Sequence, residues 1–201
     1  MRTSELEQSR SETLQRLALA AEYRDDETHN HTERVGHTSV LIARELGLPE
    51  ATVQTIGGAV PLHDVGKLGI ADAILLKPGP LTAGEYKTMQ GHTLIGAAIL
   101  VNSSTGVLQM AAKIALNHHE RWNGSGYPHG AAGEDIPLAA RIAAIADTFD
   151  AITHKRPYKE ARTIAHALPE IVAGSGTLFD PAVVTAFLAL DHAKLVHETH
   201  A

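Results

Sequence analysis

Residues 136–153 read IPLAARIAAIADTFDAIT, an Ala-rich apolar run with the carboxylate of Asp147 set into it. The apolar positions leave no alternation of period two, so the run specifies a helix buried along much of its surface. Pro137 suits the first turn of such a helix, where an amide has no intrahelical partner to lose. A carboxylate carried into a core is stable only with a cation or hydrogen-bond donors around it. The chain must therefore pack helices around at least one internal polar centre.

The rest of the sequence agrees with that requirement. Hydrophobic residues make up 44% of the chain but aromatics only 4%, so the core must be built of Ala, Leu, Ile and Val, which favours packed helices over a β-sandwich. Residues 5–24 predict a mostly polar helix with a thin stripe of Leu6, Leu14, Leu17 and Ala21. A second helix is expected up to about Leu46, closed by Gly47-Leu48-Pro49, and a third over 50–63. The stretch 65–81 reads as loop. Thr82 and Glu85 form a capping box for a helix to about Val101, and another helix is expected over 105–119. A Gly-rich loop spans 123–136. After the helix at 137–152, one from Thr163 to about Ala173 carries Pro169, which is expected to kink or shorten it. A last helix starts near Pro181, with a fraying tail from Asp191. The fold class expected is all-α. The 201 residues suit one domain, 25–201, preceded by a linker or dimerising stalk helix at 1–24.

Several function classes drop out. The net charge of −6, without a basic stripe, offers no DNA footprint. The absence of cysteine rules out disulfides and thiolate metal sites and fits a reducing compartment, with the cytoplasm as default. No run of about 18 apolar residues predicts a membrane span, and the polar N-terminus lacks a signal-peptide core.

Thirteen histidines are scattered through the chain, several beside carboxylates. Glu27 and His31 are one helical turn apart, His63-Asp64 closes the apolar run IGGAVPL, His92 opens a helix, and His118-His119 ends one. Each has a plain reading: a surface pair, an Asp orienting a His, a solvent-facing His, a pair favoured by a helix C-terminus. Together with Asp147 they supply the imidazole nitrogens and carboxylate oxygens that hard or borderline divalent cations take.

The segments ETHNHTERV (27–35), PLHDVGKLGI (61–70), ILLKPGPLT (74–82), GHTLIGAAIL (91–100), HHERWNGSGYPHG (118–130), IPLAARIAAIADTFDAIT (136–153), RPYKEA (156–161) and GSGTLFDP (174–181) resemble, in order, those of the HD-GYP family, a branch of the HD-domain metal-dependent phosphohydrolases. The resemblance implies an HD-domain helical bundle with a central metal cluster that hydrolyses cyclic di-GMP to pGpG, GMP or both. It implies two or three divalent ions, iron or manganese. His31, His63, Asp64 and Asp147 match the ligands of one ion. His92, His118 and His119 match those of a second, with Asp64 bridging, and Glu27 matches a carboxylate of members with a third ion. Lys67 matches the catalytic lysine, with Asp64 beside it. Tyr127 matches a wall of the pocket, and Arg156, Tyr158 and Lys159 a segment near the substrate phosphates. A diguanylate cyclase partner carrying a GGDEF domain and a homodimer through the N-terminal helix also belong to what it implies. His29 and Asn123 depart from the family pattern, the first where glycine is common and the second where aspartate is frequent. Neither removes a ligand. Trp122 is expected to pack rather than to stack on a guanine. The competing readings are a phosphodiesterase for another cyclic dinucleotide such as cyclic GMP-AMP, and a non-catalytic binding module.

Overall fold

The computed structural model describes residues 2–24, 30–155 and 160–197. Its regular structure is helical: α1 (Arg2–Arg24), α2 (His31–Glu45), α3 (Glu50–Ala59), α4 (Asp72–Leu75), α5 (Ala83–Gln90), α6 (His92–Leu100), α7 (Gly106–Asn117), α8 (Leu138–Thr153), α9 (Ile164–Ala173), α10 (Pro181–Leu188) and α11 (His192–His197). Short 3₁₀ turns occupy Val60–Leu62, Val65–Gly69 and Gly133–Asp135. Among the described residues there is no strand, only two isolated bridges, Asn123 with Ala132 and Ser175 with Phe179. None of these helices is long and apolar enough to cross a membrane.

The helix around Asp147 is α8, and it runs through the middle of the bundle. Ile142, Ile145 and Phe149 are buried on it, against Val35 and Ile42 of α2, Ile114 of α7, and Val183 and Phe187 of α10. Phe149 meets Phe187 edge to face at 5.1 Å. Each such buried side chain contributes about 1.5–3 kcal/mol by leaving water. The second half of α1 also joins this core through Ala18 and Ala21, both buried.

The structure departs from the sequence expectations at five places. The helix expected over 50–63 stops at Ala59, because Pro61 has no amide to continue the ladder. The chain tightens to a 3₁₀ turn, and the His63 amide donates to Val60 O at 2.9 Å. The stretch 65–81, expected as loop, holds the Val65–Gly69 turn and α4. The helix capped by Thr82 and Glu85 does form, with both halves of the capping box present, but it breaks at Gly91 into α5 and α6, so that His92 begins a new helix. Pro169 does not shorten α9, which runs to Ala173. Both Pro169 and Ala165, whose carbonyl loses its helical partner, are exposed, so water replaces the missing bond. The tail beyond Asp191, expected to fray, forms α11, which buries Leu195.

One close approach fixes the centre of the molecule. The Val65–Gly69 turn lies backbone to backbone on α6, and a Cβ on Gly66 would stand 1.8 Å from His92 O and 2.4 Å from Gly96 N. Only glycine fits there. The contact holds the segment carrying Asp64 and Lys67 against the start of α6.

Candidate metal centre

Helix ends converge on one polar hollow. His31 is the first residue of α2, His63 and Asp64 lie between two 3₁₀ turns, His92 starts α6, His118 caps the end of α7 and Asp147 lies on α8. The ligating atoms of Asp64, His92, His118 and His119 all lie within 4.8 Å of one another, and so do those of His31, His63 and Asp147. The sequence-predicted donors thus gather into two adjoining sets. Glu27, Arg156, Tyr158 and Lys159 lie outside the described residues, as does His29.

Asp64 faces both sets. Its Oδ1 lies 3.3 Å from His92 Nε2 and 3.5 Å from His118 Nε2. Its Oδ2 lies 3.4 Å from His63 Nε2 and 2.8 Å from Lys67 Nζ. In the second set His31 Nε2 stands 3.6 Å from Asp147 Oδ1.

The imidazoles are turned so that Nε2 points inward. His63 Nδ1 sits 3.0 Å from Val60 O, His92 Nδ1 2.7 Å from Met89 O, and His118 Nδ1 3.1 Å from both Ile114 O and Ala115 O. A carbonyl only accepts, so Nδ1 carries the hydrogen in each ring and Nε2 is left to ligate. His31 is held by a carboxylate instead: its Nδ1 donates to Asp150 Oδ2 at 2.6 Å.

Electrostatics match this arrangement. Burial pushes the Asp64 carboxyl up, but the Lys67 charge and neighbouring imidazoles outweigh it and hold the group well below its usual range. Burial keeps His118 low and lowers His119 to about 2, so both stay neutral. His63 goes the other way: burial lowers it, but the Asp64 charge carries it up to about 9.

The residues fit divalent cations. His63 Nε2 and Asp64 Oδ1 are buried with no hydrogen-bond partner of their own, and a buried polar atom without a partner costs about 1–3 kcal/mol. The donors are nitrogen and oxygen without sulfur, the set taken by Fe, Mn or Zn. Asp64 and Asp147 remain partly open, so the hollow is reachable.

The loop after His118-His119 closes over one side. A Cβ on Gly126 would stand 2.4–2.5 Å from Arg121 N, Glu120 Cα and His119 O, so glycine alone lets the chain fold back on the paired histidines. The Tyr127 ring stacks on His119 at 4.7 Å and 24°, and Tyr86 of α5 stands edge-on to Tyr127 at 6.4 Å. Asn123 accepts the Ser125 amide at 3.0 Å, a turn bond that aspartate would make equally well. Trp122 packs, half-buried, with the Arg141 guanidinium 5.7 Å from its ring centroid.

Sequence reasoning missed several residues of this site. Asp150, 4% exposed, binds His31 and Arg34. Glu22 of α1 accepts the His31 amide at 2.9 Å and the Thr32 hydroxyl at 2.8 Å. Arg24 donates to Leu68 O, and to Ile70 O at 2.7 Å, directly after Lys67. Glu120 accepts the His129 amide at 2.7 Å, tying the start of the loop to its end. The signal that could have exposed Asp150 is its spacing of three from Asp147, which puts both carboxylates on one side of an apolar helix. A separate groove of about 690 Å³ between α1 and α2, lined by Arg16, Leu19, Tyr23, Glu33 and His37, is bounded by none of the donor residues.

The HD domain family model matches residues 15–183. The chain is 52% identical over 180 residues to a cyclic di-GMP phosphodiesterase of Thermotoga maritima, covering 90% of this chain and 49% of that protein. It is 51% identical over 185 residues to the cyclic di-GMP phosphodiesterase response regulator RpfG of Xanthomonas campestris, covering 92% and 49%. Against the 3'3'-cGAMP-specific phosphodiesterase 2 of Vibrio cholerae it is 44% identical over 188 residues, covering 94% and 36%. The chain therefore spans about half or less of the length of these relatives. Among solved structures, a cyclic GMP-AMP-specific phosphodiesterase of V. cholerae matches with a TM-score of 0.66 at 24% identity, over 89% of this chain and 47% of that one. The PgpH HD domain of Listeria monocytogenes in complex with cyclic-di-AMP matches with a TM-score of 0.60 at 16% identity, over 94% and 99%. Both likenesses are of fold.

Proposed function

The chain belongs to the HD domain family, and on that premise we propose that it is a metal-dependent phosphodiesterase that hydrolyses cyclic di-GMP to pGpG, GMP or both. The observation that carries the reading is the Asp64 carboxylate with one oxygen toward each of two donor sets. In this reading His31, His63, Asp64 and Asp147 hold one divalent ion, and Asp64, His92, His118 and His119 hold a second. Iron or manganese suits the mixed imidazole and carboxylate set, and Glu27 would serve a third ion. When bound, such ions supply positive charge for the phosphoryl oxygens and acidify a water.

The chain's own residues then do the rest. The imidazoles, fixed through Nδ1, keep their geometry without reorganisation. Because the ligands are mostly neutral, the centre keeps net positive charge toward an anionic phosphodiester. Lys67, anchored on Asp64 Oδ2, places an ammonium where charge gathers on the phosphoryl or on the leaving oxygen. Tyr127, held on His119, and Tyr86 beside it give the hollow an aromatic wall suited to a nucleobase face. Arg156, Tyr158 and Lys159 are assigned to the outer phosphate.

Residues 25–201 carry the chemistry in this account, and α1 is a strut whose second half packs on them. A cytoplasmic reaction suits the substrate class and the cysteine-free sequence, with a diguanylate cyclase as a fitting partner and α1 as a route to a homodimer. A second reading, hydrolysis of 3'3'-cyclic GMP-AMP, is favoured by the names of three V. cholerae relatives, 36–44% identical to this chain. A non-catalytic binding module has less support, because the donor sets and Lys67 are complete.

The test offers purified protein, loaded with Mn(II) or anaerobically with Fe(II), both dinucleotides in parallel, with products separated by anion exchange. Conversion of cyclic di-GMP to pGpG or GMP is expected. Faster turnover of cyclic GMP-AMP moves the assignment to the second reading. Fully metallated protein that leaves both intact overturns it.

A further inference from the structure

One buried histidine, His31, is held differently from the others. His63, His92 and His118 are oriented by main-chain carbonyls, which no substitution removes. His31 is oriented by side chains from two other helices. Asp150 of α8 takes its ring Nδ1–H, and Glu22 of α1 takes its backbone N–H. Both carboxylates are 4% exposed. Each is itself pinned: Asp150 by the Arg34 guanidinium through both oxygens and by His154 Nδ1 at 3.0 Å, Glu22 by the Thr32 hydroxyl.

Neither carboxylate is a donor of either cation set. Their geometry nevertheless bears on one. A carboxylate on Nδ1–H fixes the tautomer, aims Nε2 at the cation and raises the ligand strength of the ring. The Glu22 bond adds a second constraint. It satisfies an amide in the first turn of α2, which has no intrahelical partner and receives no side-chain bond from the N-cap residue Asn30. It therefore fixes where α2 begins, and with it where His31 stands. Arg24, two residues on, grips the main chain at Leu68 and Ile70 beside Lys67. The end of α1 thus touches both segments that carry the chemistry.

We infer that Glu22 and Asp150 are positioning residues for His31, and that they set the affinity of the His31–His63–Asp147 site for a divalent cation independently of the Asp64–His92–His118–His119 site. This rests on the metal-dependent reading above but not on which dinucleotide is the substrate. It makes the His31–His63–Asp147 site the adjustable one, and it makes the placement of α1 an input to it.

The experiment titrates apo protein with Mn(II) alone, following bound metal by equilibrium dialysis with elemental analysis and free Mn(II) by its EPR signal. Wild type should take up at least two ions, one at each donor set. In Glu22→Gln and Asp150→Asn, which keep side-chain shape, one ion should bind as in wild type and the other about 10–100-fold more weakly. Glu22→Asp and Asp150→Glu should recover part of the loss. Asp150→Ala leaves Arg34 buried without its partner and is the variant most prone to misfold, so the isosteric pair carries the test, with circular dichroism and apo-state melting as controls. Uptake of both ions with wild-type affinity by Glu22→Gln and Asp150→Asn overturns the inference, as does equal weakening of both sites. Wild-type protein that binds no Mn(II) overturns the metal-dependent reading itself and this inference with it.

Discussion

The Lys67 ammonium lies 2.8 Å from Asp64 Oδ2, while the other oxygen of the same carboxylate faces His92 and His118. One side chain is thus shared between the Lys67 ammonium and two donor sets. Lys67 is not among the cation donors, so its removal should separate chemistry from metal uptake. Lys67→Met should lower kcat by about 10²–10³-fold, the usual cost of losing one group aimed at developing charge, with bound metal unchanged. Steady-state kinetics paired with elemental analysis check this, and loss of metal in the variant would contradict it.

His63 gives a pH signature. Its folded-state pKa is raised to about 9, the Asp64 charge outweighing burial, against about 6.5 unfolded. In the metal-free protein its contribution to stability is fully present below about pH 6.5 and is lost as pH rises through 9. His119, lowered by burial to about 2, is neutral across that window and contributes nothing to the slope there. Apo-protein denaturation midpoints should therefore fall between pH 7 and 10, and His63→Ala should flatten that slope. Metal uptake at pH 7 should also release the His63 proton, seen as buffer-dependent heat in calorimetry, and the release should vanish above about pH 9.

The glycines make a pair of contrasting predictions. At Gly66 a Cβ would meet main-chain atoms of α6, which cannot swing away, so Gly66→Ala should destabilise by about 1–3 kcal/mol or more and disturb His92. Gly84, in the first turn of α5, has open space around it, and Gly84→Ala should be neutral or stabilising by about 0.4–1 kcal/mol. Chemical denaturation of the two variants checks both signs.

The capping box supplies a substitution remote from the chemistry. Thr82 accepts the Glu85 amide and Glu85 accepts the Thr82 amide at 2.7 Å. Thr82→Ala should cost about 1 kcal/mol in denaturant titrations and leave metal stoichiometry at the wild-type value.

The candidate donors were legible in the sequence chiefly through the resemblance of their segments to the HD-GYP family, since each His or His-carboxylate pair alone also had a plain reading. Asp147 was legible because a charge inside an apolar helix demands a partner. Asp150 was not, since its partners His31 and Arg34 lie 119 and 116 residues away and its spacing from Asp147 also suits a solvated face. Glu22 sits in a polar stretch whose thin apolar stripe reads as a stalk, and its hold on His31 appears only once α1 lies against α2. The split of the 82–101 helix at Gly91 was hidden for a related reason. The new helix begins at His92, whose carbonyl lies in close backbone contact with Gly66, a tertiary contact that local periodicity does not show.

The most direct test of the central claim is anomalous X-ray diffraction from crystals of the Mn(II)-loaded protein. Two anomalous peaks should appear, one among His31, His63 and Asp147 and one among His92, His118 and His119, with the Asp64 carboxylate between them. Peaks lying elsewhere, or none at either set in protein shown by elemental analysis to carry manganese, would contradict it.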